Sequence, residues 1–311
     1  MFILLILAAL LLGVCFVCSK VYEGRAGTGL KVGFFYNSLL GLFASLVFFA
    51  LNKFKFEITW FSALLSALLT VLVVSYTLIG FKILSKGGIS IYSIFLMSGG
   101  MTVPYIFGLL FLDEEFKLIR TLGLLVLIFA VALSNFKGKE KGADLKMVLM
   151  CVAVFFLNGC VSVISKIHQV ETVRSTVGTE AFVMLSGISK FLIAGVAFLA
   201  VAYIETQKQS KNDGADSSLL QNSIGIKSLL NKKMLTALLP IIVLAALADG
   251  VSYYLQLVGA ANLPASVLYP AVTGASMIFS VILDFVVFKV KPSKYVIASA
   301  CLCFIGTLMF L

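Results

Sequence analysis

Charge is what this sequence has least of. Only 12% of its 311 residues are Asp, Glu, Lys or Arg, against about 25% in ordinary soluble domains. Hydrophobic residues make up 61%, and the mean hydropathy is +1.10. A chain so short of charge cannot present water with a polar surface all round. Histidine is nearly absent too, with one in the whole chain. No phosphate-cradling glycine loop and no cluster of His, Cys, Asp or Glu at ligand spacing accompanies it. Those absences leave no acid–base constellation to build on, so the reading is no enzyme, no metal and no cofactor. The six cysteines (15, 18, 151, 160, 301 and 303) all fall inside apolar runs. Thiols placed there serve as small hydrophobic fillers.

What the chain does have is length of apolar run. Crossing a bilayer core takes roughly 20 apolar residues in a helix. Ten such runs occur, at about 2–19, 32–51, 60–84, 88–112, 117–136, 146–168, 177–204, 235–259, 264–288 and 294–311. They are continuous rather than alternating, which selects helices over barrel strands. The fold class expected is an all-α polytopic membrane protein with ten transmembrane helices, multi-pass in the plasma or inner membrane. The first run has no Lys or Arg before it, so it reads as a span rather than a cleaved leader.

The net charge of +10 does not point to nucleic acid. Of 24 basic residues, 17 fall around the connections after spans 1, 3, 5, 7 and 9, and six after the even spans. The remaining one, Lys190, lies near the middle of its span. By the positive-inside rule the odd connections face the cytoplasm and both termini face out.

Three echoes recur in the same order. VSYTL (74–78) matches VSYYL (251–255); GVCFVCSK (13–20) matches GCVSVISK (159–166); MSGGM (97–101) matches VTGAS (272–276). They divide the chain into two five-helix repeats, residues 1–140 and 141–311. A polar segment, 205–234, sits between helices 7 and 8 of the second repeat. An odd number of helices inverts the second copy in the membrane, an architecture that places a binding site near the midplane between the halves. Within the polar segment, 219–230 could form a short interfacial helix.

Polar side chains inside a bilayer are costly, so their placement informs. Tyr269, Thr273, Ser276, Ser280 and Asp284 share one face of span 9; Asn158, Ser162, Ser165 and Gln169 share one of span 6. Span 8 offers Asp249, Tyr253 and Gln256, and span 7 offers Thr179, Ser186 and Lys190. Lys190 and Asp249 lie mid-span, where an ionised group costs about 3 kcal/mol on insertion scales. They pair with each other, bind the two charges of a zwitterion, or hold a proton. Pro104, Pro264 and Pro270 are candidate kinks, and His168 is a candidate interface residue.

LLFLDEEFKLIRTLGLLVLIFAVAL (109–133), KFLIAGVAFL (190–199) and VSYYLQLVGAANLPASVLYPAV (251–272) together resemble the drug/metabolite transporter superfamily in its ten-helix EamA-like branch. Two departures stand out. Asp113 occupies the place of a usual glycine, and Lys289 stands where the second half would repeat Glu114, which makes Glu114 a local structural residue. The small multidrug relatives use a Glu in their first helix, and span 1 has no acidic residue. The resemblance also implies cytoplasmic termini, opposite to the charge distribution.

The function expected is secondary transport of a small organic metabolite, an amino acid or related compound, with export implied by the resemblance. Substrate-binding candidates are Lys190, Asp249, Asn158, Tyr253, Gln256, Tyr269 and Thr273. Gly99, Gly274 and Pro270 are candidates for close packing or kinks at a moving interface. The partners expected are the metabolite and the lipid bilayer, with no nucleic acid; proton coupling and a homodimer stay open. The alternative is a non-transporting scaffold or sensor with an occluded centre.

Overall fold

The computed structural model describes residues 2–27, 29–84, 89–134, 145–211, 232–289 and 291–310. Among them are ten α-helices and no strands. These are α1 Phe2–Ala26, α2 Leu30–Leu51, α3 Trp60–Leu84, α4 Ile89–Phe111, α5 Leu118–Ser134, α6 Leu145–Val170, α7 Thr179–Lys211, α8 Lys232–Asn262, α9 Ala265–Phe288 and α10 Lys294–Leu308. Eight are long and apolar enough to cross a membrane. The exceptions are α5, with 17 residues, and α10, with 15. At about 1.5 Å per residue, 17 residues span roughly 25 Å, short of a full bilayer core. These two helices pack against each other at the flank of the bundle.

Two expected boundaries move. Helix α1 continues past residue 19 to Ala26 and carries Ser19, Tyr22 and Glu23 on its last turns. The absence of an acid from the first helix is therefore corrected: Glu23 belongs to it. Helix α7 runs on to Lys211. The interfacial-helix candidate at 219–230 lies outside the described residues.

Helix contacts pair off when each helix is exchanged for the one five places along. Helix α1 packs on α8 and α9, and α6 packs on α3 and α4; α2 meets α7, α4 meets α9, and α5 meets α10. Glycines set the closest of these approaches. At the α2–α7 crossing, a Cβ on Gly41 would lie 2.5 Å from the Gly187 carbonyl, and one on Gly187 would lie 2.8 Å from the Gly41 carbonyl. Where α4 crosses α6, a Cβ on Gly99 would strike the backbone of Phe155, and one on Gly159 would strike Val103. Gly99 thus lets α4 approach α6 closely. Gly274 packs elsewhere, with Thr307 of α10 at 2.5 Å and Leu127 of α5 at 2.8 Å from the Cβ it lacks. That contact tethers the α5–α10 pair to α9.

The prolines divide in their roles. Pro104 and Pro270 lie inside α4 and α9. Pro264 does not kink a helix: it is the residue before α9, with φ −55° and ψ 140°. Asp113 has φ 51°, a left-handed conformation that Asp tolerates and Gly prefers. This explains why a glycine suits that place.

Gly41→Ala is expected to force α2 from α7 and destabilise the fold by about 1–3 kcal/mol, the usual range for overpacking. A lowered melting temperature of the detergent-purified protein checks it. Gly24→Ala, which meets nothing within 4 Å, is the neutral control.

Candidate functional site

Eight helices surround a cavity of about 650 Å³, and α5 and α10 contribute none of its lining residues. Along α1 and just past its end the wall runs from Leu12 to Gly27, about 22 Å at the helical rise. It continues over Gly29, just before α2, and Gly33 within it, so the cavity reaches the α1–α2 connection at one end of the bundle. At the other end the wall stops at Tyr253, Gln256 and Tyr269.

All seven predicted binding residues line this cavity: Lys190, Asp249, Asn158, Tyr253, Gln256, Tyr269 and Thr273. The i, i+3, i+4 stripes account for that, since one face of each helix must carry every polar group it owns. Lys190 Nζ donates to Asp249 Oδ2 at 3.1 Å, with side chains 24% and 32% exposed. The pair is neutralised yet still reachable from the cavity. One turn along α8, Tyr253 Oη and Ser165 Oγ lie 3.0 Å apart. Tyr269 is 5% exposed, and its hydroxyl has no hydrogen-bond partner among the described residues.

The stripes do not reach the cavity whole. Ser280 and Asp284 fall outside it, and Asp284 Oδ2 accepts from Lys20 Nζ at 2.7 Å across α1 and α9. Thr179 donates to Gln169, and Gln169 donates to His168 Nδ1 at 3.0 Å. The first half supplies wall residues that the stripes did not indicate: Glu23, Asn37, Thr70, Thr77 and the tyrosines 22, 36, 76 and 92. The SYT of the repeated pentapeptide contained that signal, because Tyr76 and Thr77 belong to it.

Beyond Tyr269 the bundle is closed by polar ties. Glu114, at the α4–α5 connection, accepts from the backbone N–H groups of Ala265 (2.6 Å) and Ser266 (2.9 Å). Its carboxylate caps the N-terminus of α9, where unpaired N–H groups and the helix dipole favour an anion. Glu114 is therefore no local residue: it joins the two halves across 151 positions. Lys166, at the end of α6, is only 5% exposed, and its Nζ donates to the carbonyls of Ala260 (2.6 Å) and Leu263 (2.7 Å). It closes the C-terminus of α8, where carbonyls lack helical partners. Both strands of the turn between α8 and α9 are thus held from the opposite side.

His168 is buried rather than interfacial. Its Nε2 lies 2.9 Å from Ser62 Oγ, its ring stacks on Phe182 at 3.6 Å, and Ser62 Oγ also accepts from Val177 N–H at 3.1 Å. Just past α6, Glu171 accepts from the N–H groups of Val173 and Arg174, which hold its carboxyl below the usual carboxylate range.

The family model for EamA-like transporters matches residues 145–311, more than half of the chain. The chain belongs to the EamA-like transporter family. It is a multi-pass membrane protein of the drug/metabolite transporter type, with a small molecule as substrate and lipid around it. One solved structure, described only as the crystal structure of a protein, matches with TM-score 0.70 at 14% identity. The match covers 99% of this chain and 94% of that one, and at that identity it shows a shared fold alone. No curated protein matches this chain.

Four variants test the site's electrostatics. Lys190→Ala or Asp249→Ala alone should destabilise the protein by about 1–3 kcal/mol, because each strands a half-buried charge. The double variant should cost less than the sum. Glu114→Gln should cost a similar amount, since a charge-assisted bond becomes a neutral one. Thermal melts of all four proteins provide the readout.

Proposed function

We propose that this chain is a secondary transporter that moves a small organic metabolite by alternating access between its two five-helix halves. The observation that carries the reading is the asymmetry of the cavity. It extends from a mid-bundle ion pair to the α1–α2 end, while Glu114 and Lys166 close the opposite end. A cavity reaching one end of a bundle and sealed at the other is the shape of one half of a transport cycle.

The paired helix contacts support the second half of that cycle. If each helix can take the role of its counterpart five places along, the seal can pass from one end to the other. By the charge distribution the α1–α2 end faces the cytoplasm, whereas the family resemblance implies the opposite orientation. Export is the direction the resemblance implies, and the cargo is an amino acid or a related compound. A 650 Å³ cavity argues against the occluded scaffold or sensor.

Asp249→Asn is the decisive variant. Reconstituted into liposomes, it should insert and melt cooperatively but lose at least about tenfold in counterflow of labelled amino acids and their decarboxylated amines, as loss of a charged contact predicts. Unchanged flux would reduce Asp249 to a structural role.

A further inference from the structure

The hydrogen-bonding sense of the cavity wall narrows the substrate class. Three amides line it, and each has one N–H committed to the protein. Asn37 Nδ2 donates to the Gly33 carbonyl at 2.9 Å, and Asn158 Nδ2 donates to the Leu96 carbonyl at 2.8 Å. Gln256 Nε2 donates to Ser252 Oγ at 3.2 Å, because that hydroxyl spends its own proton on the Ala8 carbonyl at 2.7 Å. Each amide nitrogen has one of its two N–H groups spent in this way, so the whole carbonyl oxygen and the second N–H are left for a ligand.

The hydroxyls follow the same rule. Thr70, Thr77 and Ser276 donate to carbonyls of their own helices at 3.0, 2.7 and 2.8 Å. A hydroxyl whose proton is spent in this way presents only lone pairs. The charged groups lean the same way. Two carboxylates, Asp249 and the exposed Glu23, line the cavity against one ammonium, Lys190, which already donates to Asp249. The remaining hydroxyls, Tyr269 Oη among them, can donate or accept as a ligand requires.

Tyrosines complete the wall. Tyr36, Tyr76 and Tyr253 line the same cavity as Asp249, and aromatic rings attract cations. A carboxylate entering this space would meet two carboxylates against one ammonium that is already paired. An ammonium would meet the two carboxylates, three amide oxygens and the lone pairs of the spent hydroxyls.

We propose that the cavity selects protonated organic amines, molecules that bring an ammonium and further N–H or O–H donors but no carboxylate. The assignment rests on the transport reading of the same cavity and refines its cargo from amino acids to the amines related to them. Lys190 in this scheme does not bind a substrate carboxylate. It holds Asp249 in place and limits the negative charge of the unloaded site.

Two matched ligand series separate the alternatives. One is tyramine, tyrosine and 4-hydroxyphenylacetate; the other is agmatine, arginine and 4-guanidinobutyrate. Binding to the full-length protein in detergent is measured by the ligand-dependent rise in melting temperature. In at least one series the amine should bind at least about tenfold more tightly than its amino acid, and the carboxylate ligand without an α-amine should bind least. Gln256→Lys, which sets an ammonium among the acceptors, should weaken amine binding about tenfold and favour the carboxylates. Tighter binding of an amino acid or acid, or no amine binding at millimolar concentration, overturns the assignment. Flux in liposomes keeps the two readings apart. Transport of tyrosine or arginine without their amines overturns the cation assignment and leaves transport standing. Amine binding without flux sustains the assignment and overturns transport.

Discussion

A bilayer offers no water to a stranded polar group, and this constraint shapes the protein from end to end. Every helix terminus drawn into the bundle, every amide and every charge must find its partner inside the protein. Glu114 and Lys166 are the sharpest case. The turn between α8 and α9 leaves N–H groups of one helix and carbonyls of the other without helical partners. A carboxylate from the α4–α5 connection and an ammonium from α6 satisfy both sets. The same two side chains that settle a hydrogen-bond deficit also close one end of the bundle.

The wall of the cavity obeys the same rule by another route. Thr70, Thr77, Asn37, Asn158 and Gln256 first satisfy themselves on nearby backbone or neighbouring hydroxyls, which keeps the unloaded site stable in a low dielectric. What they leave over is therefore biased towards lone pairs. On the proposed amine reading, substrate preference would arise as a by-product of stability. An ion pair at the centre does likewise: Lys190 and Asp249 neutralise each other, yet both stay within reach of the space between the halves.

Near-symmetry with local asymmetry connects the architecture to its function. Gly13 and Gly159 occupy matching places at matching helix crossings, but the approach at Gly159 is far closer. Lys20 and Lys166 also match in the sequence echo. Lys166 is buried against carbonyls, while Lys20 is exposed, pairs with Asp284 and lies 4.7 Å from the Phe288 ring. On the proposed alternating-access cycle, such equivalent residues would exchange environments as the seal passes from one end to the other.

Much of this was legible before any coordinates. Ten helices follow from run length alone, since hydrocarbon thickness sets how many apolar residues a span needs. The polar stripes on α6, α7, α8 and α9 held the seven binding candidates that line the cavity, because a 3.6-residue period collects many of a helix's polar groups on one face. Long-range partners were not legible. Nothing in the string links Glu114 to Ala265, or moves His168 from an interface to a buried seat between Ser62 and Phe182. The opening of the cavity to one end belongs in the same class, as does the contribution of Asn37, Tyr36 and Glu23 from the first half. Periodicity is a property of one helix and survives in one dimension; a cap, a seal or an oriented amide depends on which helix stands opposite, and only packing decides that.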